Sequence, residues 1–181
     1  MATPVTASNA AMVRQYFTNS TFWQTECRRY STEAACTAFS PSGVLVKAVL
    51  MNSGEPMKQY ATNGRATTIP DQALGAPPDY FQGYGRIMLS NVLPLSGTTE
   101  ASFQLFVQDL LEVKENTMLT YSVVVSDSTI PLSFTVSWYD PPNVFWSGKA
   151  VLNDIGELWN DIIIIIIIIV IDISIFANIC A

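Results

Sequence analysis

After Gly97 the hydrophobic repeat of this chain changes, and that change limits the folds open to it more than any other feature. Before it, apolar residues recur at roughly the 3.6-residue spacing of a helix; after it they fall on alternate residues, as in a half-buried strand. In "ASFQLFVQDL", Phe103, Leu105 and Val107 alternate with polar or second-face residues. In "MLTYSVVVSD", Leu119, Tyr121, Val123 and Val125 share one face, with Thr120, Ser122 and Ser126 on the other. In "IPLSFTVSWYD", Leu132, Phe134, Val136 and Trp138 oppose Ser133, Thr135 and Ser137. Alternating segments separated by turn residues predict an antiparallel sheet with one solvated face, and these strands are too few to close a sandwich.

Two helices are expected ahead of that sheet. Thr3 to Phe17 begins with a capping residue and a proline suited to the first helical position, and Val5, Ala10, Met12, Val13 and Phe17 are largely apolar. The small side chains of Ala7, Asn9, Ala10 and Ala11 allow close packing against it. The second helix opens at Ser40-Pro41 and runs through Val44, Leu45, Ala48 and Val49 to Leu50, where Asn52-Ser53-Gly54 stops it. Residues Gln59 to Gly85, rich in Gly, Pro, Asn and Thr, are expected to form a long irregular connection. A short apolar stretch, "GYGRIMLSNVLPL", leads from it to the sheet.

The far end obeys neither period, since Ile162 to Ile169 is an unbroken run of eight isoleucines. A low-complexity extension without an evolved fold is the simplest reading. A membrane segment needs about 20 apolar residues, and Asp172, Ser174 and Asn178 interrupt this one early. A buried strand is the third reading, although a homopolymer does not specify its own register.

Composition narrows the chemistry. Among 181 residues there is no histidine, so neither a Ser-His-Asp nor a Cys-His apparatus can be assembled from this chain, and zinc sites with histidine ligands are excluded. Three scattered cysteines cannot make a four-thiolate site. The net charge of −6, with nine Lys and Arg forming no cluster, argues against binding a phosphate backbone, and no nucleic-acid partner is expected. The first residues show neither the charged nor the apolar region of a signal peptide. Cys27 and Cys36 enclose eight residues, a loop that a disulfide can close in an oxidising compartment and that otherwise carries two free thiols. Asn19-Ser20-Thr21 is a glycosylation sequon, meaningful only in a secreted chain.

Other motifs have plain structural explanations. Asp140-Pro141-Pro142 is more simply a strand-ending turn than a metal ligand. Gly83-x-Gly85 lacks the third glycine and the preceding strand of a nucleotide loop. Trp138, Trp146 and Trp159 suit sheet packing better than a carbohydrate groove, and Glu112, Lys114 and Glu115 suit a solvated turn.

Taken together, these pieces resemble the subtilisin-like serine proteases. The nucleophile motif of that family is G-T-S-M-A-T-P followed by a small-residue helix, and "MATPVTASNAAMVRQYF" matches it from the methionine onward. Met1, Ala2, Thr3 and Pro4 supply the M-A-T-P, and Ala7 to Ala11 the small face of the helix behind the nucleophile. "SPSGVLVKAVLMNSG" is similar to the helix that closes the catalytic domain, and "GYGRIMLSNVLPL" to the segment after it. "PLSFTVSWYDPPN" with "AVLNDIGELW" is similar to a motif pair of the β-sandwich that follows the catalytic domain in one branch.

The resemblance implies a mixed α and β fold: C-terminal helices of a subtilisin-like α/β catalytic domain, followed by a truncated antiparallel β-sandwich. It divides the chain into a catalytic-domain remnant at 1–95, an incomplete sandwich at 96–160 and a polyisoleucine tail at 161–181. It places the catalytic serine one residue before Met1, and the triad Asp and His and the oxyanion-hole Asn farther upstream. No catalytic, metal or cofactor-binding residue is therefore assigned within this chain, and no cofactor is implied. Ile155-Gly156-Glu157-Leu158 replaces the family's Leu-Asp-Leu, which weakens a metal or loop role for Asp154. The implied function is that of a catalytically incomplete piece of a serine endopeptidase. Its full-length parent would act on peptide or protein substrates in a secreted or extracytoplasmic setting. The alternatives are a non-enzymatic β-rich interaction module, or a fragment tethered to a membrane by residues 162–181.

Overall fold

The helices take their places from a few buried side chains. In the computed structural model, which describes residues 2–28, 36–58, 74–95, 103–112, 132–140 and 168–171, helix α1 spans Ala2–Thr18. It is already helical at Ala2, so Thr3 lies inside the first turn and is not its cap; Pro4 is tolerated there because the first-turn amides have no intrahelical acceptor. Only the C-terminal half of α1 is fastened, through buried Val13, Tyr16 and Phe17. Ala2 to Ser8 are all exposed, and Val5 (59% exposed) and Met12 (50%) do not join the core.

Asn19 ends the helix in an extended conformation and caps a π-helical turn, Ser20–Gln24, which runs into the short α2, Thr25–Cys27. This corner delivers Trp23 and Phe22 to an aromatic cluster. Phe17 lies 5.2 Å from Trp23 and 5.2 Å from Phe39, and Tyr16 stacks on Phe22 at 6.3 Å. A disulfide joins Cys27 to Cys36 across a Cα separation of 5.5 Å. The oxidised alternative for these two cysteines is therefore the one found. It returns the chain to α1, where the Phe39 amide donates to the Phe17 carbonyl at 3.0 Å.

Helix α3, Gly43–Asn52, is capped by Ser42, whose Oγ accepts from the Leu45 amide at 3.0 Å. The cap expected at Ser40 is thus displaced by two residues. Ser40 Oγ and the Pro41 carbonyl instead accept from the guanidinium of Arg14, at 3.0 and 3.3 Å, which ties this approach to α1. Leu45, Val46, Ala48 and Val49 form the buried stripe. The stop at Asn52-Ser53-Gly54 is realised: the Ser53 amide donates to the Val49 carbonyl and its hydroxyl to the Leu50 carbonyl. Val92 and Leu93, which follow a 3₁₀ turn at Leu89–Asn91, complete the core, and the Tyr16 hydroxyl donates to the Pro94 carbonyl at 2.8 Å in a buried position.

Strands β1, Gly54–Glu55, and β2, Arg86–Ile87, pair antiparallel beside the end of α3. The larger sheet has three strands: β3 (Gln104–Val107), β4 (Ser133–Thr135) and β5 (Ile168–Ile171), with β5 in the middle and antiparallel to both neighbours. The structure is therefore a mixture of helices and small antiparallel sheet. Of the three alternating segments, the first and third supply β3 and β4, while "MLTYSVVVSD" lies outside the described residues. The central strand comes from the end of the isoleucine run, in the register Leu105–Val170–Ser133. Low complexity and strand structure are not exclusive, since isoleucine is a strong strand former and β3 and β4 offer it backbone partners on both sides.

The expectation of a solvated polar face fails on β4. Through β5, the register puts Ser133 and Thr135 on the face that carries Leu105 and Val107, and that face packs against the helices. Ser133 Oγ donates to Asn52 Oδ1 at the end of α3, and Ser137 is 3% exposed, whereas Leu132 is 43% exposed. The helix layer decides which face is covered, and alternation alone does not.

Candidate functional site

The resemblance directs attention first to the N-terminal turns of α1. The amides there lack intrahelical acceptors, and a helix N-terminus favours negative charge, which is the arrangement an oxyanion requires. The polar side chains of this stretch turn back on their own helix. Thr6 Oγ1 donates to the Ala2 carbonyl at 3.1 Å, Ser8 Oγ to the Pro4 carbonyl at 3.0 Å and Asn9 Nδ2 to the Val5 carbonyl at 2.9 Å. With those groups bonded inward, α1 presents a small, weakly polar surface along Ala2 to Ser8, all of it uncovered. No imidazole base stands near it, because the chain has no histidine.

One serine elsewhere does meet a carboxylate. Asp109 Oδ1 accepts from Ser42 Oγ at 2.6 Å, and Oδ2 accepts from the Ser42 amide at 2.7 Å. The same Ser42 Oγ caps α3, so the pair fastens the segment after β3 to the start of the helix. Among the described residues, no group of three or more acidic or cysteine side chains is placed to hold a metal ion.

The second region of interest is the turn that leads into β2. Asp79 Oδ1 accepts from the amides of Phe81 and Gln82, each at 2.8 Å, and Asp79 and Gly83 exchange backbone hydrogen bonds. The Gln82 amide is the main reason that the Asp79 carboxyl titrates below its ordinary value of 3.8; partial burial opposes the shift, and the Phe81 amide reinforces it. Gln82 is the buried centre of the turn. Its Oε1 accepts from the Met57 amide at 2.8 Å and its Nε2 donates to the Gly75 carbonyl at 2.6 Å, so one side chain clamps three stretches of chain. Gly85 has a φ of +93°, and a Cβ there would collide with the carbonyl oxygen of Glu55. This close approach explains the second glycine of "GYG". The turn leaves Tyr80, Phe81 and Tyr84 exposed. Sequence reading missed Gln82, and the available signal was a lone amide between turn-forming residues, in a segment read only as irregular.

The remaining motif residues are scattered. Asn19 is half-buried at the end of α1, with Ser20 and Thr21 exposed beside it. Trp138 and Asp140 are half-buried after β4, and Glu112 is exposed after β3. Trp146, Trp159, Lys114, Glu115, Asp154 and Cys180 lie outside the described residues. Among the described residues, no helix is long and apolar enough to cross a membrane. No protein-family model, curated protein or solved structure matches the chain.

Proposed function

We propose that this chain is the part of a subtilisin-like serine endopeptidase that follows the nucleophile, catalytically incomplete on its own. In this reading α1 is the helix behind the serine, α3 and the turn into β2 close the catalytic domain, and β3 and β4 belong to the sandwich beyond it. The observation that supports it is the uneven burial of α1. Its last turns are locked by Val13, Tyr16 and Phe17, while seven consecutive residues from Ala2 to Ser8, including Val5, are bare. A helix that is fastened at one end and carries small residues at the other suits the middle of a larger α/β layer. The full-length enzyme would cleave peptide bonds in peptide or protein substrates by acyl transfer, through a serine, a histidine and an aspartate that this chain does not hold. The Cys27–Cys36 disulfide supports an extracytoplasmic setting.

The test is to sequence the transcript upstream of the Met1 codon and to assay the longer product. An in-frame Gly-Thr-Ser before Met1, with peptidase activity that a serine-directed inhibitor abolishes, is the expected result. An in-frame stop immediately upstream, or a different triplet, would remove the reading. A second reading, a non-enzymatic β-rich interaction module, draws on the exposed Tyr80, Phe81 and Tyr84, since aromatic side chains are enriched at interfaces.

A further inference from the structure

We propose that Asn19 is an N-glycosylation site, occupied by an oligosaccharide on Nδ2 in the folded chain. Asn19-Ser20-Thr21 is the one Asn-x-Ser/Thr triplet in the sequence. Such triplets are common by chance, so the triplet alone carries little; its setting carries the argument. The two ends of the Asn19 carboxamide have separate duties. Oδ1 accepts from the Thr21 amide at 2.8 Å and caps the π-helical turn, whereas Nδ2, the atom a glycan would occupy, donates to nothing among the described residues. Replacing one Nδ2 hydrogen with a sugar therefore breaks no hydrogen bond among the described residues and keeps the capping oxygen. The same bond holds the acceptor asparagine and the hydroxyl residue on one turn, and Ser20 and Thr21 are both exposed. Phe17 and Trp23 on either side of the turn are buried, so the corner is anchored, with Asn19 half-buried and Ser20 and Thr21 exposed.

The second observation is independent of the triplet. Cys27, eight residues farther along, is bridged to Cys36, and disulfides form and persist in the compartments that also carry out N-glycosylation. Both marks stand on the same corner of the molecule, and neither depends on the protease reading. The co-reactant is a lipid-diphosphate-linked oligosaccharide. Nδ2 attacks its anomeric carbon; the C–N bond forms as the anomeric C–O bond breaks. Nδ2 loses a proton, and the lipid diphosphate leaves with the bonding pair. No oxidation or reduction is involved.

The experiment is to translate the full chain, behind a cleavable secretion signal, in the presence of microsomes, and to measure its mass before and after peptide-N-glycosidase treatment. The wild-type chain is expected to lose one oligosaccharide on treatment, with conversion of Asn19 to aspartate. Asn19→Asp keeps the capping oxygen and removes the acceptor nitrogen, so it should fold with its disulfide and carry no glycan. Thr21→Ala should lose the glycan, and Thr21→Ser should keep it. Because the transfer accompanies synthesis, the readout survives a variant that folds poorly. Release of the glycan from the disulfide-bonded chain without denaturant tests the exposure of the site. Translocated wild-type chain of unmodified mass, or a glycan that persists in Asn19→Asp, would overturn the proposal.

Discussion

Two glycines show how differently one residue type is used here. Gly85, at φ +93° with Glu55 backbone against it, has neither the dihedral nor the room for a side chain, and Gly85→Ala should destabilise the chain by about 1–2 kcal/mol. Gly43, at the start of α3 with open space within 4 Å of where a Cβ would stand, should accept alanine and gain up to about 1 kcal/mol. Denaturant midpoints of the two variants check the opposite signs. Asp79 adds a pH dependence at the same turn. Its folded carboxyl titrates below its unfolded value, so its stabilisation is present above that ordinary value of 3.8 and is lost as the pH falls through the lower folded one. An NMR titration should give a carboxyl midpoint below 3.8, with the Phe81 and Gln82 amides shifting alongside it, and a midpoint at or above that value would refute the turn geometry. The sequence marked this segment as an irregular, glycine-rich connection, but it concealed the Gln82 clamp, because nothing local marks the Met57 and Gly75 partners that make it one.

At the scale of elements, α1 behaves as two half-helices. Phe17→Ala, at a fully buried site, should cost about 3–5 kcal/mol, while Val5→Ala should change stability by less than about 0.5 kcal/mol. Thermal or urea unfolding separates these outcomes, and if a longer product restores the proposed enzyme, Val5→Ala should become costly there. Asp109 and Ser42 make one join between helix and sheet; Asp109→Ala leaves the Ser42 amide and hydroxyl without their acceptor and should cost about 1–3 kcal/mol by the same measurement. Both helices were legible in the sequence from period and stop signals. Their boundaries were less so: Ser40 and Ser42 look alike as caps, and distant partners separate them in space, Arg14 at Ser40 and Asp109 at Ser42. Strands β3 and β4 were legible as strands, but the covered face of β4 was not. The Ser133 hydroxyl reaches Asn52 at the end of α3, a choice made by packing from another part of the chain.

For the whole molecule, the account stands on the fit between a bare helix end and an enzyme built around it. The candidate site was legible only through the resemblance, which puts the serine, histidine and aspartate of the proposed enzyme upstream of Met1. The measurement that bears most directly on the claim is active-site labelling. A serine-reactive fluorophosphonate is applied to this chain and to the longer product, and the modified peptide is mapped by mass spectrometry. The account predicts no label on the chain alone and a single labelled serine directly before Met1 in the longer product. Label on a serine within the chain, or a longer product that hydrolyses peptides while the serine before Met1 stays unmodified, would contradict it.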